Sequence, residues 1–183
     1  KLLGNEKNKL TTAIVKTNEN GILCGQLWFD NSFKHVQKLY GGSLKIKWNK
    51  KDGDKIKKNE IICKIVAPLK IILIGERTAL NFIQFLSGIS SKVNLYVRKI
   101  KNRKTKILDT RKTTPGLRFL EKYAVRLGGA SNHRFSQTDV WMVKDNHKKF
   151  FGGLKNAVQF FKDQKEFYKP IQVEIHDLLE LEI

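Results

Sequence analysis

From residue 76 onward the apolar residues change their period, and that change limits the possible folds more than any other feature. Over residues 76–87, Ala79, Phe82, Ile83 and Leu86 recur at i, i+3, i+4 and i+7, which predicts a helix. Three short apolar runs follow, at 107–108, 140–143 and 171–175. Between them lie stretches with helical spacing, 117–127 (Leu117, Leu120, Ala124, Leu127) and 154–161 (Leu154, Ala157, Val158, Phe161). Parallel strands need a crossover of about a dozen residues, usually helical, so this alternation predicts a parallel α/β arrangement.

The first third reads differently. Residues 10–16 are strand-like, 18–21 form a turn, and Ile22–Cys24 returns as a strand. A helix is expected over 27–36, with Trp28, Phe29, Phe33 and Val36 on its apolar side. Leu44, Ile46 and Trp48 alternate, 51–54 makes a tight turn, and 61–66 is a further apolar strand. The expected fold is therefore an α+β N-terminal domain over 1–75, followed by parallel α/β structure over 76–183.

Composition narrows the setting. Cys24 and Cys63 both sit inside apolar runs, which favours buried thiols over a disulfide or metal pair and suits a reducing cytoplasm. No run approaches 18 apolar residues, so no membrane span is expected, and residues 1–9 are polar with no signal-peptide core. The net charge of +19 invites a nucleic-acid partner. The lysines are scattered over turns and helix faces rather than interleaved with aromatics in one stripe, which counts against it.

The arginines are not scattered. Seven arginines stand against 29 lysines, and Arg111, Arg118, Arg126 and Arg134 all fall within residues 109–134. Arginine offers a planar bidentate fork to carboxylates and phosphates. Arg118 and Arg126 fit the solvated face of the 117–127 helix. Arg111, Lys112, Arg134 and Lys144 instead follow short apolar runs or lie in loops, where binding groups concentrate. Asp109, Arg111 and Lys112 follow the first run, Lys144 and Asp145 the second, and Glu174 lies inside the third. In α/β barrels the carboxyl ends of the strands carry the active site. The cations, with His133 and His147 nearby, suit a polyanion, and Asp145 and Glu174 could hold Mg²⁺ beside phosphate. No zinc spacing and no phosphate-binding glycine loop is present.

The blocks DTRKTTPGLR (109–118), LEKYAV (120–125), Asn132-His133-Arg134 and KDNH (144–147) closely resemble the quinolinate phosphoribosyltransferases. So do ERTALN (76–81), LSGI (86–89) and the turn at 51–54. The resemblance runs along nearly the whole chain. It implies part of a parallel α/β barrel for 76–183, incomplete and lacking strands at its C-terminus. It also implies the reaction of quinolinate with phosphoribosyl pyrophosphate and Mg²⁺, giving nicotinate mononucleotide, pyrophosphate and carbon dioxide in NAD biosynthesis.

By the same resemblance, Arg111, His133, Arg134 and Lys144 would line the quinolinate pocket. Lys112 would meet phosphate, with Thr113 close by, and Asp145 and Glu174 would face the ribose and metal end. Lys112, Lys144 and Glu174 are the expected catalytic groups. Arg77 would reach a neighbouring subunit's site, making a homodimer the minimal unit, with higher oligomers left open.

The chain departs from the family pattern at several points. Ala130 replaces a glycine, Phe135-Ser136-Gln137-Thr138 replaces a Met-Gly-Leu-like stretch, and Gln172 and His176 flank Glu174 where acids are usual. The family's chains also continue past 178–183, so truncation at both ends is expected, and with it an inactive, aggregation-prone isolated chain. A decayed relative that only binds anions, a paralogue acting on another pyridine carboxylate and a nucleic-acid module stay open as alternatives.

Overall fold

The computed structural model describes residues 4–100, 102, 104–164 and 166–182. The chain forms two compact units, one of Lys1–Asp109 with Thr113–Asn132 and one of Thr110–Lys112 with His133–Ile183.

In the first unit, β1 (Leu10–Lys16) and β2 (Gly21–Ile22) are followed by α1 (Gln26–Tyr40), β3 (Lys45–Trp48), β4 (Lys55–Ile56), β5 (Ile61–Pro68) and α2 (Leu69–Lys99). After the crossing of 110–112 comes α3 (Arg118–Leu127). The sheet is antiparallel in the order β1-β5-β3, with Ala13 opposite Ile65 and Lys47 opposite Lys64. β5 buries Ile62, Cys63, Ile65 and Ala67, and α1 and α2 supply the rest of this core.

Helix α1 buries Phe29, Phe33 and Val36, a single face at helical spacing. Its start is fixed by Asp52 from the 51–54 turn, whose Oδ1 accepts the N–H groups of Gly25 (2.9 Å) and Gln26 (3.2 Å). Helix α2 turns Ile71, Ile72, Ala79, Ile83 and Leu86 inward. Gly75 lets the two helices approach, since a Cβ there would meet Phe33 ring carbons at 2.7 and 2.8 Å. A second cluster joins Cys24, Leu86 and Ala124 with Trp28, Leu120, Tyr123 and Leu127, so the stripe read in 117–127 faces α2. Both cysteines are free and fully buried.

Several expectations change here. The returning strand at 22–24 does not pair with β1, because β2 pairs with β4 and β1 pairs with β5. The backbone of this run is drawn off by α2, where Ser91 Oγ accepts Ile22 N–H at 2.8 Å and Ser87 Oγ accepts Cys24 N–H at 2.9 Å. The helix expected over 76–87 spans 31 residues, since β5 ends at Pro68 and the inward stripe already starts at Ile71. The expected division after residue 75 thus falls inside α2. The first apolar run, 107–108, is not a strand but a single parallel bridge, Leu108 to Ser131. Ala130 is unstrained, because the left-handed position belongs to Gly129, at φ 96°.

The second unit contains β6 (Trp141–Val143), α4 (Asp145–Phe150), α5 (Leu154–Gln164) and β7 (Ile171–Val173). β6 and β7 pair in parallel, Trp141 with Ile171 and Val143 with Val173, joined by the helical crossover the sequence predicts. Val143, Leu154 and Ala157 form the core, with Phe151, Val158, Phe161 and Ile171 against it. α4 is an addition to the sequence reading, and β7 is shorter than the 171–175 run. Glu174 therefore lies just beyond the strand end, not inside it.

Candidate active site

The parallel register places Lys144 and Glu174 side by side, each following the last residue of its strand. Glu174 N–H continues the ladder by donating to Val143 O at 2.9 Å. Lys144 Nζ stands 3.7 Å from the Glu174 carboxylate, and both side chains remain accessible at 40% and 46%. Lys144 also begins α4, where its N–H donates to His147 Nδ1 at 3.0 Å. That bond makes Nδ1 an acceptor, so the proton of the neutral imidazole sits on Nε2. The KDNH block is thus a strand end followed by the first turn of a helix, with the histidine tying off a backbone donor at its start.

Arg134 is clamped at the same strand. Its guanidinium donates to Val140 O at 2.8 Å and to Met142 Sδ at 3.5 Å. Burial, and then the neighbouring positive charge of Arg111, hold the Arg134 guanidinium below its ordinary value. Two cations forced together in this way form a place where an anion relieves repulsion. Arg111 is half-buried, with its Nε fully so. Lys112 is exposed, its N–H held by Thr110 Oγ1 at 3.1 Å, and His133 is half-buried. The loop after Arg134, where the chain departs from the family pattern, is closed by Asp139. Its carboxylate accepts Phe135 N–H (2.8 Å), Ser136 N–H (2.9 Å) and Ser136 Oγ–H (3.0 Å).

Arg111, Lys112, His133, Arg134, Lys144, Asp145 and Glu174 all belong to the second unit. Thr113 and Arg77 belong to the first. Thr113 Oγ1 accepts from Arg118 Nε at 3.2 Å, and Arg77 is exposed on α2. Arg118 is thus half-buried and hydrogen-bonded rather than only solvated, whereas Arg126 is exposed as expected.

Asp145 and Glu174 both present exposed carboxylates, and among the described residues no group of three His, Cys, Asp or Glu gathers. The carboxylates therefore form no all-protein cage. They fit Mg²⁺, which keeps water and takes one or two carboxylates plus substrate phosphates.

Two buried lysines, Lys122 and Lys148, were not singled out in the sequence. In the first unit, Lys122 is 4% exposed and donates to Asp109 Oδ1 at 2.5 Å. Asn132 joins them, its amide donating to Asp109 Oδ2 (2.5 Å) and Lys122 O (2.9 Å). In the second, Lys148 on α4 reaches both oxygens of Glu180 at 2.7 Å. A lysine on an amphipathic helix reads as solvated, and only the distant partner shows otherwise.

Parallel strands joined by a helical crossover, with a Lys–Glu pair at their carboxyl ends and Arg134 bonded to Val140 and Met142, define an α/β protein suited to small anions. Comparison with known proteins narrows this. The chain matches the family description "Quinolinate phosphoribosyl transferase, N-terminal domain" over residues 2–87 and "Quinolinate phosphoribosyl transferase, C-terminal domain" over 89–183. It is 39% identical over 166 residues to the chloroplastic carboxylating nicotinate-nucleotide pyrophosphorylase of Arabidopsis thaliana, covering 89% of this chain and 46% of that protein. A Bacillus subtilis protein named as a probable carboxylating nicotinate-nucleotide pyrophosphorylase is 47% identical over 127 residues, 69% of this chain and 44% of the relative.

The solved nicotinate-nucleotide pyrophosphorylase of Francisella tularensis superposes with a TM-score of 0.87 at 40% identity, over 96% of this chain and 61% of that one. The chain belongs to the quinolinate phosphoribosyl transferase family. It spans about half the length of the curated relatives it matches. Among the described residues no helix is long and apolar enough to cross a membrane.

Proposed function

We propose that the protein carrying this chain transfers the phosphoribosyl group of phosphoribosyl pyrophosphate to quinolinate. The products are nicotinate mononucleotide, pyrophosphate and carbon dioxide. The observation that carries this reading is the clamped Arg134 with Arg111 beside it, on the strand whose end bears Lys144. Quinolinate is a dianion whose two carboxylates suit paired guanidinium forks. In this reading Arg111, His133, Arg134 and Lys144 hold quinolinate, Lys112 meets phosphate, and Asp145 and Glu174 face the ribose. Mg²⁺ held by those two carboxylates would neutralise charge on the pyrophosphate leaving group. Lys144 and Lys112 steady the negative charge that develops as pyrophosphate departs, a preorganised contribution commonly worth about 2.7–4 kcal/mol for one group.

The same reading makes residues 76–183 part of a parallel α/β barrel, 1–75 the α+β domain, and α2 the helix that runs across the division. It places Arg77 in the site of a neighbouring subunit of a homodimer. The two buried, free thiols suit a reducing compartment such as the cytoplasm. A second reading, a relative that binds anions without turnover, is favoured by Gln172 and His176 on either side of Glu174.

Calorimetry with quinolinate tests the proposal on the complete natural polypeptide. Binding should weaken by about 100-fold or more in Arg111→Ala and Arg134→Ala, as when a buried charged partner is truncated. Unchanged affinity in both variants would remove the arginines from the site. Binding without product would select the second reading.

A further inference from the structure

We propose that Lys148 and Glu180 are positioning residues that hold Lys144 and Glu174 in register. Lysine is almost never fully buried unless paired, yet Lys148 is only 9% exposed. Its ammonium meets both Glu180 carboxylate oxygens at 2.7 Å. Glu180 is further fixed by its own segment. Its Oε2 accepts His176 N–H at 2.7 Å, and its N–H donates to Asp177 Oδ1 at 3.0 Å.

The geometry links two stretches of chain twice. Lys148 sits one helical turn beyond Lys144, with its N–H donating to Lys144 O at 3.0 Å. Glu180 lies six residues beyond Glu174, whose N–H is held by Val143 O. One link is therefore the end of the β6–β7 ladder, and the other is the Lys148–Glu180 pair. Lys144 and Glu174 meet close to the ladder link, and their 3.7 Å separation is beyond hydrogen-bond range. A half-exposed pair of that kind contributes little to fixing its own geometry. The buried pair, made with bidentate contacts, supplies the fixed frame instead.

This inference rests on the proposed reaction, in which Asp145 and Glu174 face the phosphoribosyl substrate. Disturbing the frame then weakens that substrate more than quinolinate, which loses the placement of Lys144 but keeps Arg134, anchored at Val140 and Met142. A general folding defect would weaken both alike.

The test uses the complete natural polypeptide with Lys148→Met, Glu180→Gln and the double variant. Glu180→Gln keeps the size of the side chain and covers the case in which Lys148→Met does not fold. Hydrogen exchange and calorimetry with phosphoribosyl pyrophosphate and with quinolinate are the readouts. Exchange of the His176 and Glu180 amides should rise by about tenfold or more, with β5 unchanged. Affinity for phosphoribosyl pyrophosphate should fall by about tenfold and that for quinolinate by less than about threefold. The double variant should be no weaker than either single one.

Unchanged exchange, unchanged affinity for phosphoribosyl pyrophosphate, or equal loss of both substrates would each overturn the proposal. If the unaltered protein bound neither substrate, the proposed reaction would fall. Exchange at His176 and Glu180 would then decide the frame alone.

Discussion

Replacing Lys122 by methionine removes one half of the most deeply buried ion pair described in the molecule. The Lys122 and Asp109 side chains are 5% and 8% exposed, and they meet at 2.5 Å. Methionine fills nearly the same volume, so the change leaves little cavity and removes mainly the charge. Breaking a buried pair by deleting one partner costs about 3–5 kcal/mol, because the remaining charge stays out of water. In a chain of this size about 2–4 °C accompany each kcal/mol, so the midpoint should fall by roughly 6–20 °C. Urea unfolding followed by far-UV circular dichroism measures the loss as a shift in midpoint at constant slope.

The double variant Lys122→Met with Asp109→Leu should recover most of that loss, since apolar replacement of a buried pair is often neutral. The Asn132 amide, which is exposed, then turns to water. A cost below about 1 kcal/mol for Lys122→Met, the value of a surface pair, would refute the reasoning. So would a double variant as weak as the single one.

Burial pushes the Cys24 and Cys63 thiols up to about 12, so neither should react with a disulfide reagent at pH 8 in the native state. Both should titrate once the chain is unfolded, and fast native labelling would contradict their burial. Gly75→Ala should destabilise by about 1–3 kcal/mol despite alanine's better helix propensity, because its Cβ would collide with the Phe33 ring; equal or greater stability in chemical denaturation would show that the ring gives way. The Lys148 ammonium, and then the His176 N–H, hold the Glu180 carboxyl below its ordinary value of 4.5. A depressed carboxyl contributes stability fully above 4.5 and loses it as pH falls through its lower folded value. Acid unfolding of Glu180→Gln should therefore be less steep below pH 4.5 than that of the unaltered chain, and identical acid profiles would count against the pair.

The elements legible in the sequence are those in which apolar spacing and burial agree. Helix α3 follows from Leu120, Ala124 and Leu127, which face α2, and β1 has the bounds expected. Spacing says nothing of long-range partners, so the pairing of β2 with β4 rather than β1 could not be read. Helix α4 has six residues, fewer than two turns, and carries no apolar stripe to reveal it.

At the site, motif and strand-end position together marked the residues of the second unit. The two buried lysine pairs were hidden because lysine belongs on a solvated helix face until its partner is known. Asp109 lies 13 residues from Lys122, and Glu180 lies 32 from Lys148. Met142 as the support of Arg134 was hidden for a similar reason, since a methionine in an apolar run reads only as core.

The measurement that bears most directly on the proposed reaction is turnover by the complete natural polypeptide, supplied with quinolinate, phosphoribosyl pyrophosphate and Mg²⁺. Carbon dioxide and nicotinate mononucleotide should appear in equal amounts, and both should vanish in Arg134→Ala while the fold persists. A folded protein that binds quinolinate yet releases neither product would contradict the proposed reaction.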